Sequence, residues 1–163
     1  MNTLFYLSGA VAVVATVMVI ISLNAVHALL YLIVSLLSVA LIFFTVGAPF
    51  AAALEVIIYA GAIMVLFVFV IMMLNLGPQT ARTERQWLNL RAWWGPGLLA
   101  LALLLELIYL LGGRGDHPVA AAGVGPKEVG ITLFGPYLLG VELASFLLLA
   151  GLVGAYHLGR RDD

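Results

Sequence analysis

Five apolar runs dominate this sequence, each close to the ~20 residues an α-helix needs to cross the hydrocarbon core of a bilayer. They cover residues 4–23, 26–46, 50–75, 93–111 and 136–158. A helix that is apolar all round must be surrounded by other apolar matter, either a large protein core or lipid. The chain has 163 residues, 64% hydrophobic and 9% charged, against about 25% charged in a soluble domain. Too little polar chain remains to wrap five such helices, and the mean hydropathy of +1.18 points the same way. The expected fold is all-α, a polytopic membrane protein with five transmembrane helices forming a single membrane domain over residues 1–163.

Breakers mark the ends of the runs. The first stops at Asn24, the second at Gly47 and Pro49, the third before "GPQ", and the fourth at "GGRGD". The fifth follows Gly135, with Pro136 expected at its first turn, where a missing N–H does no harm. The first three runs are joined by a few residues each and so should be antiparallel neighbours. The third-to-fourth link, "LGPQTARTERQWLNLRA", reads as polar and amphipathic, and the long "GGRGDHPVAAAGVGPKEVGITLFG" reads as a surface loop. Arg82, Arg85, Arg91, Arg160 and Arg161 fall on one side of a five-span topology, and only Arg114 and Lys127 on the other. Lysine and arginine favour the cytoplasm. The N-terminus is therefore expected in the periplasm and the C-terminus in the cytoplasm, with Trp87, Trp93 and Trp94 at the cytoplasmic interface.

Several chemistries are excluded. There is no cysteine, hence no disulfide, thiolate nucleophile or cysteine-held zinc or iron–sulfur cluster. His27, His117 and His157 are far apart in sequence, and no Gly-rich phosphate loop occurs. No metal or cofactor site is expected in this chain, and a net charge of −1 gives no footprint for nucleic acid. "MNTLFYLSGA" lacks the positive start of a signal peptide, so the first run reads as a retained helix.

The acids carry what chemistry there is. Glu84, Asp116, Glu128, Asp162 and Asp163 fall in links or the tail, whereas Glu55, Glu106 and Glu142 fall inside the runs. A charge at a span centre costs about 2.5–3.5 kcal/mol on insertion scales, and intramembrane acids are functional by default. At 1.5 Å per residue, Glu55 lies roughly 8 Å from the outer end of its run, Glu142 roughly 9 Å from the same side, and Glu106 at similar depth. Tyr59 is about 6 Å further in than Glu55 and shares its helix face. Glu55, Tyr59 and Glu142 are thus candidates for a proton relay or water gate. Glu106, beside "LIYLLGG", reads as a packing residue within reach of the interface. Gly61, between Ala60 and Ala62, is the weakest helix former of the third run. It is a candidate hinge where a π-bulge is tolerable, although small residues in membrane helices commonly serve close packing. Ser8, Ala12 and Thr16, and Ala150 with Gly154 and Gly151 with Ala155, read as ladders for tight helix neighbours.

"NAVHALLYLIVSLLSVALIFF", "ALEVIIYAGAIMVLFVFVIMMLNL" and "VGITLFGPYLLGVELASFLLLAGLVGAYHLGR" closely resemble the J subunit family of bacterial NADH–quinone oxidoreductase, respiratory complex I. The mitochondrial counterpart is NADH dehydrogenase subunit 6. The resemblance is strongest in the third run and around the fifth, and weak in the fourth.

The resemblance implies a cofactor-free subunit of an enzyme that holds FMN, iron–sulfur clusters and quinone on other subunits. It implies partners in the bacterial cell inner membrane: the quinone-module subunit, small A-type and K-type subunits, and antiporter-like subunits. It also implies a π-bulge near Tyr59 and Gly61 that converts to regular helix and opens a water path toward the K-type subunit. Glu55, Tyr59 and Glu142 match the family motif; Glu106 matches nothing in it. Two other readings stay open on the residues: a scaffold subunit of the same complex, and a subunit of a multisubunit cation/proton antiporter.

Overall fold

The computed structural model describes residues 3–22, 25–74, 90–112 and 123–160. Readings placed on Asn24, Arg82, Glu84, Arg85, Trp87, Arg114, Asp116, His117, Arg161, Asp162 and Asp163 lie outside the described residues, as do the side chains of Arg91 and Trp93. Among the described residues all regular structure is helical. Five helices among the described residues are long and apolar enough to cross a membrane: Thr3–Ile21, Ala25–Thr45, Pro49–Met73, Trp94–Gly112 and Leu138–Gly159.

The chain divides into two compact units, Met1–Gly123 and Val124–Asp163. In the first, α1 (Thr3–Ile21) and α2 (Ala25–Thr45) pair along most of their length. A Schellman motif ends α2: Gly47 N–H donates to Phe44 O (3.2 Å) and Ala48 N–H to Phe43 O (2.9 Å). Gly47 takes the left-handed conformation this requires, φ 87°, which only glycine adopts without penalty. Pro49 then opens α3 (Pro49–Leu54) at a position that needs no N–H. A π-helical segment (Glu55–Ile63) and α4 (Met64–Leu74) continue the same span. The helix α5 (Leu90–Gly112) packs on α1 and α2.

Helices in lipid gain nothing from burying oil against oil, so contact depends on small residues and hydrogen bonds. The α1–α2 seam shows both. Ala15 and Ser38 are fully buried and Ser8 nearly so. Thr16 Oγ1 donates to Ala12 O (2.8 Å) within α1. Thr16 Oγ1 and Ser35 Oγ also lie 2.8 Å apart across the seam, and either can donate to the other. Ser38 Oγ donates across the seam to Ser8 O (2.7 Å). The expected ladder of Ser8, Ala12 and Thr16 is thus a hydrogen-bonding edge as well as a small-residue one.

Glu106 is the packing residue its sequence setting suggests, but it turns inward and not toward water. It stays inside the bundle, 4% exposed, with Ser8 Oγ donating to its Oε2 at 2.6 Å. Its position falls on the same face of α5 as Leu103 and Leu110, both buried, the i, i+3, i+7 pattern of a core stripe.

The second unit holds α6 (Pro126–Leu133) and α7 (Leu138–Gly159). The stretch read as continuous loop contains α6 because Pro126 occupies the first helical turn and Glu128 folds back, its Oε2 accepting the Gly125 N–H. Pro136 lies in a turn and not in the fifth span, which starts two residues later at Leu138. Tyr137 N–H reaches back to Thr132 O (3.2 Å) and Leu138 N–H to Gly135 O (3.2 Å), closing a bend ahead of the span. No residue of α7 is buried.

Candidate functional site

The third span is the irregular element of the first unit. Its middle nine residues, Glu55–Ile63, carry i→i+5 bonding in place of i→i+4. The sequence "EVIIYAGAI" permits this locally. Ala60, Gly61 and Ala62 present little side chain to crowd a widened turn, and Gly61 gives the helix least intrinsic support. Regular helix resumes at Met64, whose N–H is shared between Tyr59 O and Gly61 O.

The segment is held at its two ends and open between them. Ala52, just before it, is 7% exposed and Met64, just after it, 1% exposed. None of its own residues is buried. Glu55 and Gly61 are partly covered and Tyr59 is 48% exposed. Among the described residues no hydrogen bond or ion pair engages the Glu55 carboxyl or the Tyr59 hydroxyl. Both polar groups therefore stand on membrane-spanning helix with hydrogen-bonding capacity left for groups from outside the unit.

Spacing in the π-helical segment differs from that assumed for a regular helix. Four residues exceed one turn of an α-helix but fall short of one turn when the bonding is i→i+5. Tyr59 thus still lies roughly above Glu55, displaced to the opposite side. A Cβ added at Gly61 would meet Val56 O at 3.2 Å, and Val56 is the i−5 residue whose carbonyl faces the Gly61 amide in this bonding pattern. Val56 also lines an apolar cavity of about 400 Å³ bounded by α2, by Pro49, Ala52 and Ala53 of the third span, and by α5.

Of the residues singled out from sequence, Glu55, Tyr59 and Gly61 share the π-helical segment. Glu142 belongs to the second unit, exposed on α7, with Ser145 Oγ donating to its backbone oxygen (2.7 Å). Sequence reading missed the partnership of Glu106 with Ser8, 98 positions away. A hydroxyl on one span and an acid on another were both visible, but no periodicity links one run to another. No group of three or more histidine, acidic or cysteine residues able to hold a metal occurs among the described residues.

Comparison with known proteins supplies the family context. Residues 15–158 match the family described as NADH-ubiquinone/plastoquinone oxidoreductase chain 6. The chain is 59% identical to NADH-quinone oxidoreductase subunit J of Pseudomonas aeruginosa, over 99% of this chain and 98% of that protein. It is 55% identical to the subunit J of Escherichia coli strain K12, over 99% of this chain and 88% of the relative. Against the subunit J of Buchnera aphidicola subsp. Schizaphis graminum the identity is 54%, covering 98% of each chain.

Proposed function

The chain belongs to the subunit J family of NADH-quinone oxidoreductase, and on that premise we propose that its third span couples quinone reduction in neighbouring subunits to proton translocation. It is a multi-pass membrane subunit of bacterial complex I, so other subunits of that complex are its partners. In our reading those in contact are the quinone-module subunit, the small A-type and K-type subunits and the antiporter-like subunits. FMN, iron–sulfur clusters and quinone reside on subunits other than this one. The N-terminus faces the periplasm and the C-terminus the cytoplasm of the bacterial inner membrane.

One observation carries the coupling role: nine residues of π-helix, including an acid, a phenol and a glycine, lie unburied between two buried anchors. A π-helix persists only where its surroundings favour it over the regular form, and such segments gather at functional sites. Changing i→i+5 bonds to i→i+4 turns Glu55 and Tyr59 relative to each other without breaking the chain of backbone bonds. In one conformer their polar groups line a path for water; in the other the path is interrupted. Glu55 holds and releases a proton on that path, Tyr59 extends it, Gly61 is the hinge, and Glu142 is a further relay group.

The test uses assembled complex in sealed membranes. Glu55→Gln and Tyr59→Phe should each lower the protons moved per NADH oxidised while this chain remains in the complex. A full proton yield in both would reduce the pair to packing residues. Wild-type yield in Glu55→Gln combined with Glu142→Gln would leave the scaffold reading standing.

A further inference from the structure

We propose that Glu106 is a positioning residue, whose hydrogen bond from Ser8 fixes the register of α5 on the α1–α2 pair and so sets the wall that faces the third span. The inference rests on the proposed switching of that span only where activity is its readout.

Three helices meet at this point through one chain of hydrogen bonds. Ser38 Oγ on α2 donates to Ser8 O on α1, and Ser8 Oγ donates to Glu106 Oε2 on α5, at 2.7 and 2.6 Å. Ser8, Ser38 and Glu106 are each buried, at 1%, 0% and 4% exposure. The sequence around Glu106, "LLALALLLELIYLLG", offers leucines in almost every direction. A leucine face sliding one turn along its neighbours meets nearly the same surface, and apolar contact in lipid does little to distinguish the two arrangements. A single buried polar partner removes that degeneracy, as a lone polar core residue does in a coiled coil.

Ser8 Oγ is the donor that holds the carboxyl within the first unit; the second oxygen, Oε1, is buried without a hydrogen-bond partner among the described residues.

The consequence lies next to Glu106. Ala100, Leu103, Leu104 and Leu107 of α5 line the 400 Å³ cavity together with Ala53 and Val56 of the third span. A one-turn slip of α5, roughly 5.4 Å, would replace every one of these contacts. Glu106 therefore holds fixed the surface against which Val56, at the N-terminal part of the π-helical segment, has to move.

The experiment places Ala53→Cys and Ala100→Cys, both on the cavity lining, in this otherwise cysteine-free chain. Assembled complex is then treated with a short bis-thiosulfonate cross-linker. Glu106→Gln keeps an acceptor for Ser8 and should retain both cross-link yield and quinone-linked NADH oxidation. Glu106→Leu should change the cross-link yield several-fold and lower turnover with it. Ser8→Ala should shift the yield in the same direction, and it carries the test should Glu106→Leu fail to assemble. An unchanged yield in both Glu106→Leu and Ser8→Ala overturns the proposal. So does a loss of turnover in Glu106→Gln as deep as in Glu106→Leu, because then the exchangeable acid matters and the hydrogen-bonded shape does not. A changed yield with wild-type turnover upholds the register role and overturns the switching of the third span.

Discussion

Substitution at Gly61 tests whether the π-helical segment needs its glycine. A Cβ at this position would lie 3.2 Å from Val56 O, inside the optimal separation of roughly 3.5 Å for non-bonded carbon atoms. The contact belongs to the i→i+5 form. In a regular helix the amide of residue 61 turns to Ile57 O, and the Val56 carbonyl no longer sits opposite it. A methyl group therefore disfavours one conformer while its gain in helix propensity, about 1 kcal/mol over glycine, is common to both. Forcing an extra group into a packed contact costs about 1–3 kcal/mol. That corresponds to a shift of roughly 5- to 150-fold toward regular helix. Gly61→Ala should sit at the low end and Gly61→Val, with its stiff branched side chain, at the high end. The assay is quinone-linked NADH oxidation and proton uptake by membrane vesicles, with assembly checked on native gels and amide exchange followed across residues 60–65. Turnover should fall in the order glycine, alanine, valine, and exchange at those amides should slow in the same order. Wild-type turnover and proton yield in assembled Gly61→Val would refute the reasoning outright.

Three further outcomes follow from contacts elsewhere. An alanine at Gly95 would drive its Cβ into the Tyr31 hydroxyl and 3.0 Å from Tyr31 Cζ, so Gly95→Ala should destabilise the complex by about 1–3 kcal/mol. Adding Tyr31→Phe removes the nearest atom and should recover most of the lost thermal stability; no recovery would mean that Tyr31 is not what the methyl meets. Ser38→Ala removes the bond to Ser8 O and should cost about 0.6 kcal/mol, the average for such bonds between membrane helices, read as a lower denaturation midpoint. Glu128→Ala strips the start of α6 of the acceptor for the Gly125 N–H and should cost about 1 kcal/mol locally, seen as faster amide exchange over residues 125–130 with turnover unchanged.

The spans were legible because lipid imposes its length on any helix that crosses it, and Gly47 with Pro49 ends one span and starts the next for reasons local to those residues. Elsewhere the composition concealed local signals. Gly125, Pro126 and Glu128 together are a helix start, but set in a Gly- and Pro-rich stretch they read as loop. Pro136 read as the first turn of the fifth span, yet Tyr137 and Leu138 bond backward into a bend and the span opens later. The weak point at Gly61 was visible from propensity, whereas the extent of the π-helical segment, from Glu55 to Ile63, was not. That extent depends on which neighbours accept the widened turns. Glu106 was legible as a packing residue, but its partner was not. Depth along its own helix allowed a reach to the interface, and only the approach of α1 shows that its hydrogen-bond donor is Ser8.

The hydroxyl pairing of the first two helices bears on how the protein is made. Thr16 and Ser35 are 19 positions apart and Ser8 and Ser38 are 30, so these partners are all synthesised before the third span begins. The two helices can leave the translocon as a closed hairpin, the Thr16, Ser35 and Ser38 hydroxyls already satisfied. Ser8, its hydroxyl proton still unused, waits for a span synthesised much later. Biogenesis then has a natural order, in which the fourth span is admitted last to the first unit and recognised by its single acid.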